Sequence, residues 1–99
     1  TFEDIIKLDD RSVQRILRDV NKQDLLMSLK GSSEEVRQLV FRNMSSRAAQ
    51  ALKEELEIGG PVRLKNVYEA QKKIVEAIRA LEAAEEIVLQ REGQSEYVG

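Results

Sequence analysis

Residues 64–81 read LKNVYEAQKKIVEAIRAL, and the spacing of their apolar members decides the fold class. Leu64, Val67, Tyr68, Ile74, Val75, Ile78 and Leu81, with Gln71 among them, recur at intervals of three and four over about five turns. That period belongs to one face of an α-helix. A half-buried strand would need alternation at period two, and no stretch of the chain sustains it.

Working outward, Gly59-Gly60-Pro61 closes the helix before this one, because proline lacks an amide donor and pushes its predecessor out of the helical region. Upstream of that stop, Ala48, Ala49, Leu52 and Leu56 form an inner stripe behind a cap at Ser45 or Ser46. Val36, Leu39, Val40 and Met44 give the next stripe, Leu25, Leu26 and Leu29 another, and Val13, Ile16, Leu17 and Val20 a fourth behind Asp9 or Asp10. Lys30-Gly31 is read as a helix end in which glycine takes the left-handed position, and Ser32, three residues before Glu35, as a capping box. The expectation is an all-α, compact six-helix domain with helices near 2–8, 10–19, 22–30, 33–43, 46–58 and 64–85. Short connections force neighbouring helices together and leave no internal boundary. The domain is therefore expected over 1–91, with an unstructured polar tail at 92–99.

Composition narrows the function. The chain has 99 residues, 41% hydrophobic and 34% charged, with a net charge of −2. Such a balance lacks the basic footprint of a nucleic-acid binder. There is no His and no Cys, which removes disulfides, thiolate nucleophiles, imidazole bases and the usual zinc ligands. Apolar runs stop at three residues, as in Leu25-Leu26-Met27, whereas a membrane span needs about twenty. No signal-peptide pattern opens the chain, so a cytoplasmic location is expected, and a first residue of Thr1 reads as a piece of something longer.

No catalytic cluster emerges. The adjacent carboxylates Asp9-Asp10, Glu34-Glu35, Glu54-Glu55 and Glu85-Glu86 point about 100° apart on a helix and do not converge. The first two pairs suit helix N-termini, where negative charge complements the macrodipole. Gly59-Gly60-Pro61-Val62-Arg63 precedes a helix but lacks the phosphate-loop spacings. Arg11, Arg15 and Arg18 line one side of a helix, yet Asp10, Asp19 and Asp24 are interleaved with them. The expectation is no enzyme, no cofactor, no metal, no nucleic acid and no membrane insertion. In the 46–58 helix Arg47 and Glu54, seven residues apart, fall on one line of the face opposite Leu52, and Glu55 falls on its flank. Taken alone, these charges read as an ordinary solvated surface.

The runs Phe2-Glu3-Asp4-Ile5, Leu8-Asp9-Asp10-Arg11-Ser12-Val13-Gln14 and Leu29-Lys30-Gly31 carry a family likeness. So do Arg42-Asn43-Met44-Ser45-Ser46-Arg47-Ala48-Ala49 and Gly60-Pro61-Val62-Arg63-Leu64. Over about residues 1–90 the chain resembles the C-terminal domain of the FliG family, rotor and switch proteins of the bacterial flagellar motor. The resemblance implies armadillo-like packing of short helices with a longer last one, at the edge of the cytoplasmic C-ring against the inner face of the membrane. It implies a row of charges meeting the cytoplasmic loop of the stator subunit MotA to pass torque and support switching of direction. Contacts with FliM and with neighbouring FliG copies are implied mainly for regions upstream of Thr1. The family's charged positions fall on Lys30, Arg47, Glu54, Glu55 and Arg63. Relatives often carry Asp-Asp where this chain has Glu54-Glu55, and tend to carry a helix-ending Gly where it has Glu85. The competing class is a helical scaffold binding partners through an apolar groove. Only the charged contact should weaken steeply with salt.

Overall fold

The structure, a computed structural model, describes residues 1–87. The domain limit expected at 91 and the tail expected at 92–99 lie outside the described residues. A 3₁₀ helix at Phe2–Lys7 precedes five α-helices: α1 at Asp10–Asp19, α2 at Lys22–Lys30, α3 at Glu34–Arg42, α4 at Ser46–Ile58 and α5 at Leu64–Ala83. The all-α expectation holds, and there is no strand among the described residues.

Each α-helix from α1 to α4 begins on a side-chain cap. Asp9 Oδ1 accepts the Ser12 N–H at 2.8 Å, Asn21 Oδ1 accepts from Gln23 and Asp24, Ser33 Oγ from Val36, and Ser45 Oγ from Ala48. The bonds from Ser12 hold the Asp9 carboxyl below its ordinary pKa. The cap of α3 is Ser33, not the expected Ser32. Ser32 turns its hydroxyl back to the Leu29 carbonyl at 3.1 Å, so it closes α2 rather than opening α3.

Layering follows from the stripes. α5 lies mainly along α2, α4 lies on α2 and α3, α1 touches α5, and the 3₁₀ helix bridges α3 and α5. Ile16, Leu29, Leu52, Val13, Val36 and Val40 are the largest fully buried side chains. The α2–α5 contact is unusually close. A Cβ on Gly31 would stand 2.5 Å from Val67 Cγ1, and Gln71 Nε2 donates to the Ser28 carbonyl at 3.0 Å. Gly31 has φ −110°, so the expected left-handed end is corrected: glycine is required there by space, not by conformation.

The last helix ends two residues short of expectation. Glu85 adopts φ 61°, the only non-glycine residue with positive φ among those described. The Glu86 N–H reaches the Leu81 carbonyl at 2.9 Å and the Glu85 N–H reaches that of Glu82 at 3.0 Å, the paired bonds of a Schellman end. Glutamate therefore occupies a conformation that glycine would take freely. The turn still places Glu86 Oε1 3.0 Å from Arg15 Nε and buries Ile87 in the core. Bonds to Asp19 and then Glu86 hold the Arg15 guanidinium above its ordinary pKa, so one of the three arginines noted on α1 is already engaged within the molecule.

A left-handed residue costs an L-amino acid about 1–2 kcal/mol, offset in a glycine variant by roughly 0.4–1 kcal/mol of unfolded-chain entropy. Glu85→Gly is accordingly expected to stabilise the domain by about 0.5–1 kcal/mol, a rise of roughly 2–8 °C in thermal midpoint. Glu85→Gln should recover at most a few tenths of a kcal/mol, the part due to negative charge at a helix C-terminus. Equal midpoints for the two variants would show that backbone conformation carries no cost there.

Candidate functional site

α4 is the element on which the charges are displayed. It runs 13 residues, and only Ala49 and Leu52 are fully buried, with Ala48, Ala51, Glu55 and Leu56 half-buried beside them. A narrow inner stripe with small alanines lets the helix sit close to its neighbours and leaves a broad outer face. Arg47 and Glu54 lie within 20° of each other on that face, about 10 Å apart along the axis.

The five candidate residues divide by environment. Arg47 is exposed, and its side chain makes no ion pair or hydrogen bond among the described residues. Glu54 is exposed and accepts only from Gln50 Nε2, at 3.4 Å. Arg63 is exposed just ahead of α5; its carbonyl accepts from the Asn66 and Val67 amides at 2.9 and 3.2 Å, while its guanidinium takes no part in capping. Glu55, on the flank, faces Lys22 Nζ of α2 at 3.8 Å, a long and well-exposed pair. Pairs of that kind contribute about 0–1 kcal/mol, so Glu55 is loosely tethered rather than neutralised.

Lys30 is different. It closes α2, is half-buried, and its ammonium lies directly against Gly59, where α4 ends. A cation at that place complements the negative end of the α4 dipole. Lys30 and Arg63 thus lie at the C-terminal end of α4, one beneath the Gly59-Gly60-Pro61 connection and one beyond it. Arg47 lies at the opposite end, and Glu54 between.

Elsewhere several charges are engaged within the molecule. Arg42 Nη2 reaches Asp10 at 3.1 Å, Arg37 Nε donates to the Leu29 carbonyl at 2.9 Å, and Lys53 lies over the Phe41 ring at 5.1 Å from its centroid. Asn43 Nδ2 joins Arg42 on Asp10, and these bonds hold that carboxyl below its ordinary pKa. Arg47, Glu54 and Arg63 have no such salt link among the described residues, a condition they share with other exposed charges such as Arg18, Glu57 and Lys65.

Periodicity did not announce one feature of this region. Leu64 and Tyr68 belong by spacing to the α5 stripe, yet both are 59% exposed, and Ile58 at the tip of α4 is 82% exposed. The only advance signal was apolar residues in a last and a first helical turn flanking Gly-Gly-Pro. No group of three or more acidic residues among those described is arranged to hold a metal ion, and none of the described helices is long and apolar enough to cross a membrane.

Comparison with known proteins shows the family. The FliG C-terminal domain family model matches residues 1–89. The flagellar motor switch protein FliG of Thermotoga maritima is 58% identical over 97 residues, covering 98% of this chain and 29% of that protein. The FliG of Bacillus subtilis is 55% identical over the same span and with the same coverage. A crystal structure of a FliG fragment from Helicobacter pylori superposes with a TM-score of 0.88 at 40% identity, over 91% of this chain and 40% of that one. The chain thus spans under a third of the length of the curated relatives it matches. With a family model matched over nearly all its residues, and with 55–58% identity to FliG of two distant bacteria, the chain belongs to the FliG C-terminal domain family, whose members are structural components of the flagellar motor switch and not enzymes.

Proposed function

We propose that this domain is the torque-bearing part of a flagellar rotor, and that the outer face of α4, with its neighbours Lys30 and Arg63, engages the cytoplasmic loop of the stator subunit MotA. In this reading the domain works in the cytoplasm, in the C-ring beneath the inner membrane. FliM and adjacent FliG copies are contacted mainly through parts of the protein outside this chain. Reorientation of the ridge relative to the stator would then reverse rotation. The observation that carries the reading is the pair Arg47 and Glu54. They are opposite in sign, fixed on one line of a buried-stripe helix, exposed, and without an ionic partner among the described residues.

The energetics suit a contact that must form and release repeatedly. An exposed ion pair contributes about 0.2–1 kcal/mol, too little to trap the complex, while charge guides approach over a Debye length of about 8 Å at physiological salt. Weak, distributed contacts make neutralisation mild and reversal severe, because reversal replaces a small attraction with a repulsion. Arg47→Gln is therefore expected to leave swimming and single-motor torque near normal, whereas Arg47→Glu should lower torque several-fold and be restored in part by a reversed charge in the stator loop. Unchanged torque in Arg47→Glu motors that still assemble stators would overturn the assignment.

A further inference from the structure

Gly59 and Gly60 stand side by side in the stop that ends α4, and the structure uses them differently. Neither takes the left-handed backbone: Gly59 has φ −65° and ψ 138°, extended values open to any residue. A Cβ at Gly60 would meet nothing within 4 Å. A Cβ at Gly59 would collide with Lys30 Nζ and stand 3.4 Å from Lys30 Cε and 3.0 Å from the Glu55 carbonyl oxygen. The side-chain place at residue 59 is therefore already taken, and a lysine from α2 takes it.

The electrostatics of α4 give that lysine a purpose. Lys7, Arg18, Lys30 and Arg42 stand in the last turns of the four helices before α4, whereas α4 has no basic residue in its own last turn. It carries Glu54, Glu55 and Glu57 there instead, beside the negative end of its dipole. The Glu55 carbonyl accepts the Gly59 N–H at 3.0 Å, while those of Leu56, Glu57 and Ile58 receive no backbone amide among the described residues. Lys30 forms no ion pair among the described residues, so no carboxylate draws its ammonium to this place. What the ammonium meets there is the end of α4.

We propose that Lys30 and Gly59 form a lock: the ammonium fills the notch left by the glycine, supplies the cation that α4 lacks, and fixes the C-terminal end of α4 on α2. Both are then positioning residues for the ridge. The inference rests on the stator reading above and changes what Lys30 does in it. The lysine acts on the stator through α4, by holding the end of the helix that carries Glu54, and not as one more contact. Its environment agrees, since Arg47 and Arg63 are exposed and Lys30 is half-buried.

The test is amide hydrogen exchange of this chain, together with single-motor torque. Gly59→Ala keeps every charge but fills the notch and displaces the flexible lysine head; Lys30→Met keeps most of the stem and removes the charge. Each should speed exchange of the Ile58 and Gly59 amides by about two- to fivefold, with the Leu52 amide unchanged as the measure of global opening. The double variant should exchange no faster than either single one, because both remove the same contact. Gly60→Ala should match wild type. In motors, Gly59→Ala should lower torque by the same fraction as Lys30→Met, and Lys30→Glu should not be restored by the reversed stator charge that restores Arg47→Glu. Exchange unaltered by Gly59→Ala, or effects that add in the double variant, would overturn the lock. Faster exchange with wild-type torque in Gly59→Ala would overturn the positioning role and leave the ridge standing. Rescue of Lys30→Glu by a reversed stator charge would overturn it too, by making Lys30 a contact. Unchanged torque in Arg47→Glu would instead overturn the stator reading, and exchange would still decide the lock.

Discussion

Shortening Leu52 to alanine is expected to remove about 3 kcal/mol of folding stability and, on the function proposed above, to weaken stator engagement without altering a single charge. Leu52 is 1% exposed and is the one large side chain that α4 buries completely; Ala49 is the only other fully buried residue of that helix. Truncating a buried leucine forfeits its transfer free energy and leaves a cavity, together about 2.7–5 kcal/mol in well-packed cores. For a domain of this size each kcal/mol shifts the thermal midpoint by roughly 4–8 °C, so a fall of about 12–24 °C should be read by circular dichroism. Glu54→Ala supplies the contrast. It removes an exposed carboxylate with one long hydrogen bond, and should stay within about 0.5 kcal/mol of wild type while changing the ridge directly. A Leu52→Ala midpoint within about 4 °C of wild type would mean that something other than this side chain holds α4 in place.

That contrast separates what was legible in the sequence from what was not. Helix limits fell within one or two residues of expectation because the punctuation is local: Asp9, Asn21 and Ser45 cap, Gly59-Gly60-Pro61 stops, and each acts on its nearest backbone amides. The outer position of Arg47 and Glu54 was equally legible, since both follow from the 100° step relative to Leu52. Apart from the local bond that the Ser32 hydroxyl makes three residues back, and the loose spacing of Leu64 and Tyr68, the misses are tertiary. Ser33 rather than Ser32 caps α3 because Ser32 is drawn to the Leu29 carbonyl of the preceding helix. The ammonium of Lys30 lies at the end of α4 because α2 passes beneath that end, which no spacing along the chain encodes. Leu64 and Tyr68 fit the helical spacing loosely and are exposed, since at 100° per residue they stand about 80° and 120° from the centre of the stripe that α5 buries through Val67, Ala70, Ile74, Ile78 and Leu81. Arg15 finds Glu86 across 71 residues only because the left-handed turn at Glu85 redirects the chain.

Gly31 carries the same lesson into a second large effect. Read locally, it is a helix-ending glycine, for which asparagine would be a tolerable substitute because it enters the left-handed region more readily than other residues. The structure gives it φ −110° and sets Val67 Cγ1 2.5 Å and Gln71 Nε2 3.4 Å from the place a Cβ would take. On that geometry side-chain volume governs, and Gly31→Asn should be worse than Gly31→Ala. Valine has few χ1 options on a helix and Val67 is buried, so it cannot swing clear. Gly31→Ala is therefore expected to cost about 1–3 kcal/mol as α2 and α5 move apart. Val67→Ala removes the obstructing methyl, and the double variant should recover at least about 1 kcal/mol relative to the sum of the two single changes. Additive single effects, or an asparagine milder than alanine, would restore the conformational explanation and remove the steric one. The same displacement would reach the ridge, because Lys30 precedes Gly31 and Arg63 opens the helix that Val67 belongs to. On the function proposed above, Gly31→Ala should then weaken stator-loop binding below its unfolding temperature, and Val67→Ala in the same chain should restore it, which a loss of global stability alone would not do.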